Sequence, residues 1–204
     1  MTTQARQSTE LRQAEIIATM LRLAAERNPA DITTTDIAKA MRVTQGALFR
    51  HFATKEAIRL AVVEWIEAQL LGALLAARQA APDALAALRA MFLAHVRFAQ
   101  AYPGVPRLIF AELQQAEASP VRLVVQKIMQ RYRQVLAETL SLAMAAKRIR
   151  ADVDCQAAAS LFLGGIQGLV IQSMLSGSDA ALERQAEAVL DLYLAGLGGS
   201  HEAG

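Results

Sequence analysis

The sequence predicts an all-α protein, in which three short N-terminal helices precede a larger helical body. Three observations support this prediction. The chain has 204 residues, of which 54% are hydrophobic, so it can bury a sizeable core. Apolar residues recur at helical spacing along most of its length. No segment alternates apolar and polar residues as a half-buried strand would. We therefore expect about nine helices and no sheet.

Pro, Gly and Asn residues divide the chain into these helices. Asn28-Pro29 ends the first helix, Pro82-Asp83 ends the fourth, and the run 102–106 separates the fifth from the sixth. Asp154 and Asp179 stand where N-caps of the last two helices are expected. The predicted helices span about 8–27, 34–41, 45–51, 55–79, 83–101, 107–117, 121–147, 155–175 and 180–197. We expect one domain over 8–54, a second over 55–197, and a flexible tail over 198–204.

Charge and composition exclude several classes of protein. Residues 1–60 contain nine Lys or Arg against six Asp or Glu, so the slight basic excess lies at the N-terminal end and favours an anionic partner there. A single cysteine, Cys155, and three separated histidines, His51, His95 and His201, predict no disulfide framework, no metal site and no cofactor. No catalytic constellation is evident, so we expect no enzyme.

Two features bear on location. Residues 1–10 are polar and do not resemble a secretory signal. The longest uncharged stretch runs from Cys155 to Ser178, and its strongly apolar part falls short of the ~20 residues that a membrane span needs. We expect a cytoplasmic protein without a membrane partner.

The strongest local signal lies between Thr33 and Ile58. Thr33 and Asp36 form a variant capping box at the start of one short helix, and Thr44 caps a second. Helices of about seven residues are not stable alone in water, so these two must pack on each other and on the first helix. That arrangement is a helix-turn-helix, whose second helix can enter a DNA major groove.

The second short helix has residue types that suit base reading. Gly46 and Ala47 keep its first turn slim, Gln45 can bond adenine N6 and N7, and Ala47 can touch a thymine methyl. Leu48 and Phe52 are expected in the core. Helix starts and the outer face offer phosphate contacts, although Arg50 could reach backbone or base. The predicted DNA-binding residues are Thr33, Thr34, Arg42, Thr44, Gln45, Gly46, Ala47, Phe49, Arg50, His51 and Lys55. The alternative is ordinary capping and surface chemistry.

The pattern T-x-x-x-I-A-x-x-x-x-V-T-x-G-x-L-F-x-H-F-x-x-K-E-x-I, which begins at Thr33, resembles the DNA-binding signature of the TetR family, and the likeness covers about residues 10–60. The resemblance implies a cytoplasmic homodimer that binds a pseudo-palindromic double-stranded operator and is usually a repressor released by a small effector. Two positions depart from the family pattern. Arg42 stands where Gly is common, and a left-handed residue there costs about 1 kcal/mol. Phe49 replaces a Tyr and loses a hydroxyl that could bond the DNA backbone.

Bulky residues of the middle helices predict a pocket for a mostly apolar effector. His95, Tyr132, Gln126 or Gln167 could supply polar anchors. The alternative is that these residues are plain core, and Glu112 is expected on a solvated face rather than as a buried carboxylate. The predicted effector-lining residues are Trp65, Met91, Phe92, His95, Phe98, Phe110, Met129, Tyr132, Phe162 and Gln167.

Three glycines of the penultimate helix, Gly164, Gly165 and Gly168, permit close approach of another helix. The resemblance implies that the last two helices pair with those of a second copy, which places two recognition helices about 34–36 Å apart. The alternative is packing within one chain. The predicted dimer residues are Gly164, Gly165, Gly168, Leu169, Leu175, Leu190, Leu194 and Leu197.

The resemblance also implies a mechanism, in which an effector between the middle helices moves the long fourth helix, with Gly72 as a flexible point. A competing function is a helical carrier or adaptor for hydrophobic ligands that has lost DNA binding. Arg42 and Phe49 motivate that alternative.

Overall fold

The computed structural model describes residues 3–115, 119–177 and 179–198, and these residues form nine α-helices and one 3₁₀ turn with no strand. The all-α prediction is confirmed. The 3₁₀ turn covers Pro29–Asp31. The helices are α1 (Thr3–Glu26), α2 (Thr34–Ala40), α3 (Gln45–Phe49), α4 (Lys55–Ala80), α5 (Ala84–Ala101), α6 (Gly104–Leu113), α7 (Pro120–Ala145), α8 (Cys155–Ser176) and α9 (Asp179–Gly196).

Most helix bounds fall within two or three residues of the prediction, and α1 and α6 are exceptions. Helix α1 begins at Thr3, five residues before the expected start. Helix α6 begins at Gly104 instead of Arg107 and ends at Leu113. Pro106 lies in the first turn of α6, where a missing N–H leaves no helical hydrogen bond unmade. Of the prolines that we took as breakers, Pro106 therefore sits inside the helix start, and Pro103 is its N-cap.

Asp154 caps α8 as predicted, since its carboxylate accepts hydrogen bonds from the backbone N–H groups of Gln156 at 2.8 Å and Ala157 at 3.1 Å. Helix α9 starts at Asp179, whose side chain lies outside the described residues. All but the first residue of the predicted tail also lies outside them.

The chain divides into two compact units whose bounds differ from the predicted domains. The first unit contains the chain up to Ala68 together with Tyr102–Lys127, and the second contains Gln69–Ala101 and the chain from Ile128 onward. Helix α6 belongs to the first unit because it packs closely on α1. A Cβ atom at Gly104 would overlap the carbonyl oxygen of Leu21, so only glycine permits this approach.

The core of the first unit contains a buried ion pair between α4 and α6. Arg59 donates to the Glu112 carboxylate, and Glu112 is only 3% exposed. The expectation of a solvated Glu112 was wrong, because Arg59, 53 positions away, supplies the charge partner that a buried carboxylate needs. The apolar core of this unit includes Ile16, Met20, Ile32, Ile37, Leu48, Ile58, Val62 and Leu108.

Two helices, α4 and α8, are long and apolar enough by length and composition to cross a membrane. The prediction that the apolar part of residues 155–178 is too short was therefore wrong. This test is also passed by core helices of soluble proteins, and α8 buries Phe162, Leu163 and Ile166 within the second unit.

Candidate nucleic-acid interface

The capping box at the start of α2 is formed as predicted. The Thr33 backbone N–H donates to the Asp36 carboxylate at 2.8 Å, and the Asp36 N–H donates to the Thr33 hydroxyl oxygen at 3.1 Å. Hydrogen bonds from Thr33, and then Arg27 at 3.3 Å, lower the pKa of Asp36 to about 2. The carboxylate therefore stays charged at neutral pH and holds the first turn of α2 together.

The turn between α2 and α3 is built around Arg42. This residue has a φ of 57°, so the turn keeps the left-handed conformation although a non-glycine residue occupies it. The N–H of Val43 donates to the carbonyl of Ala38 at 3.0 Å and that of Arg42 to Lys39 at 3.1 Å, which is a Schellman motif. Arg42 thus completes the turn, and this departure from the family pattern gives the carrier alternative no support.

Helix α3 presents a slim outer face and a buried inner face. Thr44 caps it by accepting the N–H of Ala47 at 3.2 Å. Gln45, Gly46, Phe49 and Arg50 are exposed, while Leu48 and Phe52 are buried as predicted. The nearest atom to a Cβ placed on Gly46 is the Thr44 hydroxyl oxygen, 4.0 Å away, so open space lies beside this glycine.

The side chain of Gln45 is held by a neighbouring residue of the predicted set. Its amide Nε2 donates to the Thr34 hydroxyl oxygen at 2.7 Å. A glutamine amide has two N–H donors and one carbonyl acceptor, so one N–H and the carbonyl remain available. These are the two groups that pair with N7 and N6 of adenine. The bond to Thr34 therefore orients Gln45 without using the atoms that reading a base requires.

Lys55 and His51 flank α3 near the start of α4. The Lys55 ammonium donates to the carbonyl of Ala30 at 3.3 Å, and burial, followed by the nearby Arg59, lowers its pKa. His51 is half-buried, and its Nδ1 atom finds no hydrogen-bond partner among the described residues. Its backbone carbonyl accepts the Gln13 amide at 3.3 Å, which fixes the end of α3 to α1.

The predicted effector-lining residues fall in both compact units. Trp65 and Phe110 belong to the first, and the other members belong to the second. In the second unit the rings of Phe92 and Phe162 lie 5.1 Å apart edge to face, and Tyr132 and Tyr193 also pack against Phe162. This is the packed core that we considered as the alternative.

One polar pair lies within that aromatic core. The Nδ1 atom of His95 is 3.2 Å from the Tyr132 hydroxyl oxygen, and burial lowers the pKa of His95 to about 4, so the imidazole is neutral at pH 7. Gln126 and Gln167, the other two candidate polar anchors, are exposed on α7 and α8. Within the described ranges, no three His, Cys, Asp or Glu side chains group as metal ligands would.

The predicted dimer residues divide into buried and exposed sets. Leu169, Leu190, Leu194 and Leu197 are buried within the protomer, with Leu190 0% exposed, so they offer little surface to a second copy. Gly165 also packs inside, because a Cβ there would lie 3.4 Å from Val189 and 3.7 Å from Phe92. Gly164, Gly168 and Leu175 remain exposed.

Other exposed apolar residues of α8 and α9 were missed. Leu161 and Ile171 share a face with Gly164, Gly168 and Leu175, at helical spacing, and Leu192 is 75% exposed on α9. We call the exposed residues Leu161, Gly164, Gly168, Ile171, Leu175 and Leu192 the α8–α9 face. A stretch as uniformly apolar as α8 does not reveal from sequence which side faces its own core.

Comparisons with known proteins agree with this architecture. Residues 16–62 match the family described as bacterial regulatory proteins, tetR family, and residues 82–189 match the tetracyclin repressor-like C-terminal domain. The nucleoid occlusion factor SlmA of Haemophilus ducreyi is 29% identical over 60% of this chain and 61% of its own length. The chain thus spans about three-fifths of that relative.

Solved structures show the same fold. The transcriptional regulator FadR from Bacillus subtilis, in complex with stearoyl-CoA, has a TM-score of 0.78 and 20% identity, over 92% of this chain and 99% of that one. AibR, in complex with isovaleryl coenzyme A and operator DNA, has a TM-score of 0.74 and 21% identity, over 89% and 97%. With two matched regions that together cover most of its length, the chain belongs to the TetR family of bacterial transcriptional regulators.

Proposed function

We propose that this regulator is a cytoplasmic homodimer that reads a pseudo-palindromic operator through α3 and represses transcription until an effector releases it. The observation that carries the proposal is the outer face of α3, where Gln45, Gly46 and Arg50 are exposed beside open space. A major groove admits a helix of this width. The same proposal holds that the chain acts by binding its operator and its effector, and not by catalysing a reaction.

Contacts to phosphates would position this helix. The first turn of α2, with Thr33 and Thr34, and that of α3, with Thr44, direct backbone N–H groups outward, and such groups bind phosphates well. Arg42, in the turn after α2, and Lys55, at the start of α4, add positive charge. Binding should therefore weaken with increasing salt, as expected when phosphate contacts release counterions.

The α8–α9 face supports the homodimer. Leu175 is 77% exposed and Leu192 is 75% exposed, and Leu161 and Ile171 add exposed apolar area at helical spacing along α8, which favours a protein partner. A Cβ atom placed on Gly164 or Gly168 would meet no other atom within 4 Å, so a partner helix can approach both glycines closely. A twofold axis through this face would repeat α3 and match a symmetric operator.

For the effector we propose a molecule with an apolar part, such as the acyl chain of an acyl-CoA thioester. Two proteins of this fold are complexes with stearoyl-CoA and isovaleryl coenzyme A. In this chain, the rings of the second unit pack against one another around the polar pair His95–Tyr132, so an acyl chain would have to displace part of that packing to reach the one polar anchor. Release requires the effector to bind the DNA-free geometry more tightly, with α4, and Gly72 within it, as the element that moves.

The test is operator binding by the full chain to the promoter region next to its own gene. Fluorescence anisotropy at several salt concentrations should show a specific complex that Gln45→Ala weakens about tenfold, the loss of one bidentate base contact. Gln130→Ala, an exposed glutamine on α7, is the matched control and should have no effect. The absence of any specific complex would contradict the proposal, as would equal losses in both variants.

A further inference from the structure

A small cleft lies in the first unit between α1 and the α2–α3 segment. Its volume is about 200 Å³. Ile16 of α1 and Leu48 of α3 form its floor, each 1% exposed, and Met41 and Val43 of the turn form a half-buried wall. An apolar cavity of about 150 Å³ accommodates a benzene ring. The cleft therefore has room for one ring with a small substituent.

The rim of this cleft is cationic. Arg12 and Arg50 line it from α1 and from the end of α3, and both are exposed. His51 also lines it, and its buried Nδ1 atom has no hydrogen-bond partner in the described part of the chain. Arg12 donates to Glu15 at 2.6 Å through one guanidinium nitrogen. A guanidinium has five donors, so Arg12 retains several for another anion.

We propose that this cleft binds a small aryl carboxylate of about the size of benzoate. The ring lies against Ile16, Leu48 and Val43, while the carboxylate meets the arginines and His51. Both halves are needed: the floor offers no partner to an anion, and the rim offers little apolar area. A charge-assisted hydrogen bond from an arginine is the strongest polar contact available to such a ligand.

Occupation of the cleft also lowers operator affinity, a consequence that rests on the proposed function. Arg50 and His51 line the cleft and belong to the predicted DNA-binding residues. A carboxylate that engages these side chains competes with the operator for them. By linkage, the operator lowers carboxylate affinity by the same factor.

Benzoate binding is measured first on the full chain without DNA, by calorimetry and ligand-observed NMR. We expect a dissociation constant in the millimolar range, as befits about nine non-hydrogen atoms. Arg12→Gln should weaken binding at least fivefold, and Val43→Met, which fills the cleft, should abolish it. Val124→Met, at a half-buried valine outside the cleft, is the matched control. Circular dichroism verifies that each variant folds.

Benzyl alcohol and inorganic phosphate separate the two halves of the site. Each should bind at least fivefold more weakly than benzoate, because the first lacks the charge and the second lacks the ring. The site is overturned if benzoate does not saturate the full chain at about ten times the expected dissociation constant. It is also overturned if Val43→Met binds benzoate as tightly as the parent protein does. Equal affinity for phosphate overturns the role of the apolar floor.

Operator titrations with and without saturating benzoate test the regulatory consequence. We expect a five- to tenfold loss of operator affinity in the parent protein and in Val124→Met, and none in Val43→Met. Unchanged operator affinity with benzoate bound overturns the competition. If the chain binds no operator at all, the proposed function fails, while the binding data without DNA still decide the site.

Discussion

The exposed faces of α3 and α8 both contain glycines beside open space, yet their neighbours differ. Around Gly46 the exposed side chains are Gln45, Phe49 and Arg50, of which Gln45 and Arg50 offer donors, an acceptor and a positive charge. Around Gly164 the exposed side chains include Leu161 and Ile171, with Ser160 and Gln167 as polar neighbours on the same helix. A glycine on an exposed helix face allows a partner of any kind to approach the backbone closely. The neighbouring side chains then determine which partner binds, and we expect a nucleic acid at α3 and an apolar protein surface at α8.

The largest expected effect comes from charging the α8–α9 face. The double variant Leu175→Glu/Leu192→Glu should be monomeric and lose operator affinity on the order of 100-fold, because two linked half-site contacts become one. Sedimentation and fluorescence anisotropy measure the two outcomes. Leu142→Glu, at an exposed leucine on α7, is the control and should change neither. A double variant that remains dimeric would show that α8 serves another partner.

Acid should destabilise the second unit through its buried histidine, His95. The pKa of His95 is lowered to about 4, so between pH 6.5 and 4 the unfolded chain takes up a proton that the folded chain does not. The free energy of unfolding should therefore fall with pH across this window by about 2 kcal/mol, less than the full shift implies because His95 keeps some solvent contact. Denaturant unfolding at each pH measures it, and His95→Gln should flatten the profile.

The capping box should respond at lower pH. Asp36 has a pKa of about 2, so its contribution to stability is present above the ordinary value of 3.8 and is lost as pH falls from there towards 2. Hydrogen exchange of the Thr33 amide, which donates to Asp36, should stay slow at pH 5. Rapid exchange of that amide at pH 5 would contradict the prediction that the capping box is lost only at lower pH than the stability contributed by His95.

A methyl group on each of two glycines tests whether α3 touches DNA. Gly46→Ala should stabilise the fold by about 0.5 kcal/mol, since nothing in the chain obstructs the Cβ, yet weaken operator binding about tenfold by crowding the groove. Gly196→Ala, at the end of α9, also has open space for a Cβ atom and should leave DNA binding unchanged. Thermal unfolding and anisotropy give both quantities. Unchanged operator affinity in Gly46→Ala would show that the first turn of α3 does not lie in the DNA major groove.

The smallest effect concerns the orientation of Gln45. Thr34→Val removes the oxygen that accepts its amide at 2.7 Å, so the freed side chain samples more conformers before binding. We expect about a threefold loss of operator affinity and relaxed selectivity at the base that Gln45 reads. Thr35→Val, at the exposed neighbouring threonine, should leave both unchanged. Selectivity is measured on operators substituted one base pair at a time.

Features fixed by nearby residues were predictable from the sequence. The Thr33–Asp36 box, the Thr44 cap and the left-handed Arg42 each depend on partners within five residues. The exposed and buried sides of α3 followed from the same short motif. Such interactions are formed by the local backbone whatever the rest of the chain does.

Features that depend on distant partners were not predictable. Glu112 is buried because Arg59 comes from another helix, and the Gln45–Thr34 bond joins two helices. Leu190 and Leu175 are both apolar residues of amphipathic or wholly apolar helices, and only packing shows that the first faces its own core. Pro106 was taken as a breaker because its place within the first turn of α6 was unknown.

The contact of Gly104 with Leu21 matters for anyone building chimaeric regulators. Exchanging only residues 1–54 for those of a relative would set a foreign α1 against this α6, where not even a methyl group fits. A graft that transfers the DNA-recognition module should carry residues 104–113 with it, although they lie half a chain away. The transplantable piece is thus discontinuous in sequence and contiguous only in the folded molecule.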